Sequence, residues 1–202
     1  EHMADLRINP QPFREDFEAL AQIGATGDGG VDRPTFSPAH LQAREWFAQR
    51  ICQAGLELRR DEAGNHSAFL NCGPVGGRTL LLGSHLDSVI RGGRFDGALG
   101  VLAALEVLRT VQGNGLKLPV HMELIDFTDE EGTLFGLLGS AALAGHLQAK
   151  DLLAPRGGRQ TLLEGLQRAG LSEAGLLTAR RNPDTLAGYL EPITARLTDA
   201  SE

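Results

Sequence analysis

The stretch Leu80–Leu108, LLLGSHLDSVIRGGRFDGALGVLAALEVL, decides the fold of this chain. It starts within an apolar run, Arg78–Ser84, whose consecutive leucines are typical of a strand buried on both faces. A glycine-rich loop follows, and then apolar residues at helical spacing predict a helix over Gly97–Gln112. A second apolar stretch, Val120–Thr128, predicts another strand. Strands separated by a helix indicate an α/β sheet.

The flanking segments extend this pattern in both directions. Ser37-Pro38 supplies a helix N-cap and a first-turn proline, and the turn at Asp61–Asn65 predicts a β-hairpin. The other predicted elements are helices over Pro12–Ile23, Pro38–Gly55, Ser140–Leu147 and Thr161–Ala169 and strands over Leu56–Arg60 and His66–Cys72. Together they predict an α/β fold with a mixed, mostly parallel sheet flanked by helices.

Composition and charge argue against several classes of protein. The 202 residues are 42% hydrophobic and 22% charged, which is typical of a globular domain rather than a disordered chain. The apolar runs are too short for a membrane span, and a formal net charge of −7 argues against a nucleic-acid partner. Because the chain opens without a signal-peptide pattern, we expect a cytoplasmic protein whose cysteines, Cys52 and Cys72, are reduced and buried.

Three short segments concentrate the side chains that bind metal ions. GSHLD carries His85 and Asp87 at the end of the first buried strand, GGRFDG carries Asp96 at the start of the following helix, and DEEG carries Glu130 and Glu131 after the next strand. In an open α/β sheet, ligands bind outside the carboxyl ends of the strands. We therefore expect the three segments to meet at the carboxyl end of the sheet.

Each of these groups also has a purely structural interpretation. His85 is compatible with an ordinary histidine at a strand end, Asp96 with a helix cap, and Glu130-Glu131 with a solvated pair in a loop. The coincidence of all three at neighbouring strand ends favours a metal site, because a cation holds together carboxylates that otherwise repel each other. Imidazole with carboxylates favours Zn²⁺, Mn²⁺, Co²⁺ or Ni²⁺ over Ca²⁺.

The same motifs carry a resemblance to a known family. The matching stretches are Gly24–Asn65, Leu80–Leu108 and Glu123–Leu147, and the combination of GSHLDS, GGRFDG and DEEG is specific. Over about Leu6–Glu191 the chain resembles the dinuclear metal-dependent amidohydrolases that include N-carbamoyl-L-amino acid hydrolases, allantoate amidohydrolases and β-ureidopropionases, which are relatives of aminoacylase-type metallopeptidases.

The resemblance implies a role for each candidate residue. His85 would bind the first of two divalent metal ions (Zn, Mn, Co or Ni), Asp96 would bridge both ions and Glu131 would bind the second. Glu130 would be the general base, and Asp87 would orient His85. The implied reaction is hydrolysis of a carbamoyl or ureido C–N bond in a small-molecule substrate, and a second copy of the chain is a candidate partner.

The resemblance also implies what this chain lacks. Residues 4–191 would be the N-terminal part of the catalytic domain, without the lid or dimerisation domain, while residues 1–3 resemble a cloning remnant and residues 192–202 an atypical tail. Where the family continues with a ligand histidine, Pro192 stands here, and no histidine follows His146. With His85, Asp96 and Glu131 as the only ligands, weak metal binding and little activity are expected from this chain alone.

Two other functions remain open from the sequence. One is a catalytically silent α/β fragment, an interaction or swapped-dimer module that pairs with another chain through an exposed sheet edge. The other is an acyl-amino-acid deacylase or aminopeptidase with the same metal core. The GGRFDG motif and the Gly24–Asn65 stretch favour the carbamoylases over the peptidases.

Overall fold

The computed structural model describes residues 6–192, in which five strands and six helices form a layered α/β fold. The strands are β1 Glu57–Arg60, β2 His66–Leu70, β3 Thr79–His85, β4 His121–Phe127 and β5 Leu186–Leu190. The helices are α1 Pro10–Ala21, α2 Pro38–Gln53, α3 Ala98–Gly113, α4 Leu138–Ala144, α5 Arg159–Ala169 and α6 Glu173–Thr178, with short 3₁₀ helices at Asp151–Leu153 and Pro183–Thr185. The predicted cloning remnant, residues 1–3, and all but the first residue of the predicted tail, residues 192–202, lie outside the described residues.

The strands form one mixed sheet in the order β1-β2-β4-β3-β5. β3 pairs in parallel with both β4 and β5, whereas β2 is antiparallel to β4 and to β1. Four of the five strands therefore point in one direction, which confirms the predicted mixed sheet. His85 lies opposite Phe127 in the β3–β4 register, so the segments that follow these two strands leave the sheet side by side.

The main hydrophobic core lies between the sheet and helices α1, α2 and α3. Leu102, Leu105 and Leu108 of α3 are buried there with Phe47 of α2 and Leu124 of β4. All seven residues of β4 are buried, as expected for a strand covered on both faces. On the opposite face, a smaller cluster joins the sheet to α4. The core thus fixes the ends of β3 and β4, from which the candidate site is built.

Several sequence predictions need correction at the level of single residues. β3 ends at His85, so Asp87, which the sequence placed at the end of this strand, lies two residues beyond it. Cys52 is exposed on α2, and only Cys72 of the two cysteines is buried. α4 ends at Ala144, so His146 lies after the helix and not within it. Among the described residues, no helix is both long and apolar enough to cross a membrane.

Candidate metal centre

His85 is held with one ring nitrogen fixed and the other available. Its side chain is buried at the end of β3, and its Nδ1 lies 2.9 Å from the main-chain carbonyl oxygen of Asp87. Because a carbonyl oxygen only accepts, this contact favours the tautomer with the proton on Nδ1. Nε2 is then left with a lone pair, the arrangement that metal-binding histidines commonly have.

The backbone at Gly97 lies close against the imidazole ring of His85. It is the N-cap residue of α3 and has a positive φ of 63°, a conformation that favours glycine. A Cβ atom at this position would lie only 2.6 Å from Nδ1 of His85. The GGRFDG motif thus provides a close backbone contact with the histidine, and Gly97, not Asp96, occupies the cap position of α3.

Glu130 and Glu131 meet His85 directly after β4. Nε2 of His85 lies 3.4 Å from Oε2 of Glu130. The three residues each offer a ligand atom, and these atoms all lie within 4.8 Å of one another. The structure therefore brings together three of the five residues expected from the sequence, one imidazole and two carboxylates.

Asp87 contacts the acidic loop rather than the ring of His85. Its carboxylate accepts hydrogen bonds from the main-chain amides of Glu130 at 3.3 Å and Glu131 at 3.1 Å. The shortest distance from this carboxylate to Nδ1 of His85 is 3.8 Å, compared with 2.9 Å for the Asp87 carbonyl. That the Asp87 carboxylate orients His85 stays a prediction, and the hydrogen-bonded atom in this structure is a main-chain oxygen.

Asp96 lies at the edge of a cavity of about 180 Å³ that contains the cluster. The cavity is lined by Ser84, His85, Asp96, Gly97, Glu130, Glu131, Glu191 and Pro192. Asp96 is exposed and is not one of the three residues whose ligand atoms converge. Its predicted role as a bridging ligand stays a prediction, although it faces the same cavity.

Glu191 is a cavity residue that the sequence reasoning did not identify as a candidate. It follows β5, the parallel neighbour of β3, and its Oε1 accepts a hydrogen bond of 3.0 Å from Oγ of Ser84. The rule that ligands gather at carboxyl ends of parallel strands would have found it if β5 had been predicted as a complete strand. His121, by contrast, lies at the opposite end of β4, and both its ring nitrogens contact main-chain atoms of Gly73 and Pro74.

The electrostatics of the cavity favour a bound cation. Burial opposes protonation of His85, but the carboxylates of Asp87 and Glu130 outweigh it and raise the pKa of His85. Burial, followed by neighbouring carboxylates, raises the pKa values of Glu130 and Glu131, although His85 opposes the shift. The eight lining residues include four carboxylates and no lysine or arginine. A divalent cation would relieve this repulsion, and imidazole with carboxylates suits zinc, manganese, cobalt or nickel.

A buried ion pair beneath the site joins three segments. Asp126 of β4 accepts a hydrogen bond from the Leu86 amide at 2.8 Å and pairs with Nε of Arg44 at 3.0 Å. Burial raises the pKa of Asp126 to about 6, while Arg44 opposes the shift. Arg44 also donates to the Gly64 carbonyl and to Oγ1 of Thr128. This pair connects α2, the hairpin turn and the end of β3 to β4, and no sequence motif indicated it.

Comparison with known proteins shows what this chain is similar to. Residues 72–155 match the model of Peptidase family M28. An N-carbamoyl-L-amino acid amidohydrolase of Geobacillus stearothermophilus is 38% identical over 174 residues, which are 85% of this chain and 42% of that protein. Allantoate deiminase 2 of Glycine max is 33% identical over 195 residues, 90% of this chain and 40% of that protein. Over most of its length the chain is thus homologous to N-carbamoyl-amino acid and allantoate amidohydrolases, as the sequence motifs indicated.

A solved structure extends the relationship to the fold. The crystal structure of an amidase of the hydantoinase/carbamoylase family from Burkholderia phymatum matches with a TM-score of 0.81 and 32% identity. The match covers 96% of this chain but 46% of that protein. The chain thus spans less than half the length of the relatives that it matches.

Proposed function

We propose that this protein is a metal-dependent hydrolase of linear amide or ureido C–N bonds, with N-carbamoyl-L-amino acids as the substrate class. The observation that carries the proposal is the convergence of His85, Glu130 and Glu131 at the end of two parallel strands. The names of the relatives, N-carbamoyl-L-amino acid amidohydrolase and allantoate deiminase, support the substrate class.

In this proposal His85 and Glu131 would hold the metal, and Asp96, which lines the same cavity, would be a further ligand. A divalent ion at such a site lowers the pKa of a bound water and polarises a substrate carbonyl. The protonated Nδ1 of His85, fixed by the Asp87 carbonyl, leaves Nε2 for the ion. Zinc, manganese, cobalt and nickel all fit the donor set.

Glu130 acts as the general base in the proposed reaction. Its carboxylate lies beside Nε2 of His85 and faces the cavity, within reach of a water molecule or a leaving nitrogen there. Its raised pKa favours acceptance of a proton from that water, because burial and the neighbouring carboxylates stabilise the protonated carboxyl group relative to one at an ordinary surface position. The homodimer and the cytoplasmic location expected from the sequence stay predictions.

Two matched substitutions test this division of roles. With the protein loaded with Zn²⁺ or Mn²⁺, Glu130→Gln should retain its metal but lose ammonia release from an N-carbamoyl amino acid by about 100-fold or more. Glu131→Gln should lose the metal itself. The control Glu62→Gln changes an exposed acid in the hairpin turn and should alter neither. Turnover by Glu130→Gln equal to that of the wild type would contradict the role of Glu130.

The same experiment separates the alternative functions. The match to Peptidase family M28 favours a deacylase or aminopeptidase as second candidate, and N-acyl amino acids and dipeptides should be included in the substrate panel. Faster hydrolysis of either class than of N-carbamoyl amino acids would favour that candidate. The silent-fragment alternative draws support from β5, four of whose five residues are exposed at an edge of the sheet. Under this silent-fragment alternative, the protein should bind no metal.

A further inference from the structure

Three buried polar side chains lie beneath the loop that carries Glu130 and Glu131. They are Thr35, which precedes α2, Asp87 after β3 and Asp129 after β4; Thr35 is 6% exposed and the two aspartates are 0% exposed. Each comes from a different part of the chain. Together the three residues bond to the main-chain amides of Glu130, Glu131, Leu134 and Phe135 and to the hydroxyl of Thr133.

The two aspartates each bind main-chain amides of this loop. Asp87 accepts from the amides of Glu130 and Glu131, while Asp129 accepts from those of Leu134 at 3.1 Å and Phe135 at 2.7 Å. Asp129 also has a positive φ of 56°, which is uncommon for a residue other than glycine. The loop is therefore fixed at both its ends by carboxylates that reach its backbone.

Thr35 links the Asp87 carboxylate to the loop. Its Oγ1 donates to Oδ2 of Asp87 at 3.2 Å. Its main-chain amide donates to Oγ1 of Thr133, at 3.3 Å, within the loop itself. Without this hydroxyl, the fully buried carboxylate of Asp87 would lose one hydrogen-bond donor and bear an uncompensated desolvation cost. The position of the carboxylate therefore depends on Thr35.

We infer that Thr35 is a positioning residue of the candidate metal centre. Its hydroxyl fixes the Asp87 carboxylate, which in turn fixes the peptide units of Glu130 and Glu131 and thereby the direction of their side chains. The expected effect of Thr35 on metal binding rests on the proposed function. The structural part, that Thr35 orders the acidic loop, stands without a metal.

Three variants test the inference. Thr35→Val removes the hydroxyl at nearly constant shape, and Thr35→Ser restores it. The control Thr110→Val removes a hydroxyl that donates to the Glu106 carbonyl within α3, away from the loop. The first readout is amide hydrogen exchange of the metal-free protein, followed by NMR at Glu130 and Glu131, with the amide of Leu124 in β4 as the internal reference.

In Thr35→Val, exchange at Glu130 and Glu131 should become about tenfold faster, since a hydrogen bond to a buried charged group contributes to this extent. Exchange at Leu124 should stay unchanged, and Thr35→Ser and Thr110→Val should resemble the wild type. Loop exchange that is unchanged in Thr35→Val, or that rises equally with that of Leu124, would overturn the inference, because the hydroxyl would then act on nothing or on the whole fold.

The second readout is the dissociation constant for Zn²⁺ by calorimetry, which should rise about tenfold in Thr35→Val and return with Thr35→Ser. An unchanged constant in Thr35→Val would overturn the link from the loop to the metal. A wild-type protein that binds no Zn²⁺ would overturn the proposed function and, with it, that link, whereas the exchange measurement still decides whether Thr35 positions the loop.

Discussion

At the scale of single residues, Gly97 shows how closely the backbone approaches the candidate ligand His85. Gly97→Ala adds a Cβ atom 2.6 Å from Nδ1 of the ring and places alanine at a φ of 63°. The imidazole or the start of α3 has to move, so we expect Gly97→Ala to weaken Zn²⁺ binding at least tenfold and to lower the melting temperature.

Gly93 offers a matched control for this substitution. It belongs to the same GGRFDG motif, its φ is not in the positive range, and a Cβ atom there would have no neighbour within 4 Å. Gly93→Ala should therefore bind Zn²⁺ like the wild type. Equal Zn²⁺ dissociation constants for the two variants would show that the contact between Gly97 and His85 has no part in metal binding.

The sequence predicted which side chains meet in the cavity better than the contacts beneath them. His85 ends one buried strand, Glu130 and Glu131 follow another, and the strand-end rule predicted that they lie close together. Thr35 and Asp126 were not predicted, because neither residue has a local pattern that reveals its partner. Thr35 lies 52 positions from Asp87, and Asp126 looks like an interior position of a strand until its contact with Arg44 is known.

At the scale of helices and strands, the ion pair of Arg44 and Asp126 joins α2 to β4. The two side chains are 3% and 0% exposed, so removing one partner leaves a buried charge uncompensated. Arg44→Met should lower the free energy of unfolding by about 3–5 kcal/mol, measured by urea titration at neutral pH.

An exposed ion pair between α2 and β1 provides the comparison. Arg60 and Glu45 lie 3.6 Å apart, with side chains 51% and 63% exposed. Arg60→Met should therefore change the free energy of unfolding by only about 0–1 kcal/mol. Losses of similar size for the two arginine variants would contradict the assignment of Arg44 and Asp126 as the pair that connects these elements.

His66 makes β2 sensitive to acid. Burial, together with Arg44 and Arg60, lowers the pKa of His66 from 6.5 to about 3. In the unfolded chain the imidazole binds a proton below pH 6.5, whereas in the folded protein it stays neutral. The stability due to neutral His66 is thus complete above pH 6.5 and is lost as the pH falls towards 3.

The substitution His66→Gln removes this titration. Between pH 7.5 and pH 5, the wild type should lose about 2 kcal/mol more of its free energy of unfolding than the variant, at ~1.4 kcal/mol per pH unit below 6.5. Urea titrations at both pH values give the difference. Asp126 titrates in both proteins, so its contribution cancels, and parallel pH profiles would show that His66 is not kept neutral by the fold.

The elements themselves follow from the sequence where the periodicity is strong. β3, α3 and β4 lie within one or two residues of their predicted limits, because buried strands and an amphipathic helix each have a distinct apolar pattern. α6 was not predicted, since six residues give too little periodicity. β5 was not predicted as a complete strand, since Ala187 and Gly188 provide little β signal.

At the scale of the whole molecule, the two edges of the sheet differ. β1 carries three charged side chains, of Glu57, Arg59 and Arg60, which discourage pairing with another strand. β5 consists of uncharged residues, and Tyr189 and Leu190 are 41% and 55% exposed. The edge nearest the candidate metal centre is therefore the less protected one. Composition predicted a globular domain, but the position of this edge depends on the strand order, which no local sequence pattern encodes.

At this scale we propose that the fold holds a divalent metal ion between His85 and Glu131. The most direct test is the metal content per chain, measured by elemental mass spectrometry after the purified protein is incubated with Zn²⁺ or Mn²⁺ and dialysed. We predict at least about one ion per chain, with a second if Asp96 bridges two, and loss of the bound metal in a His85→Ala, Glu131→Gln double variant. A wild-type protein that retains no metal, or as much as the double variant does, would contradict the account.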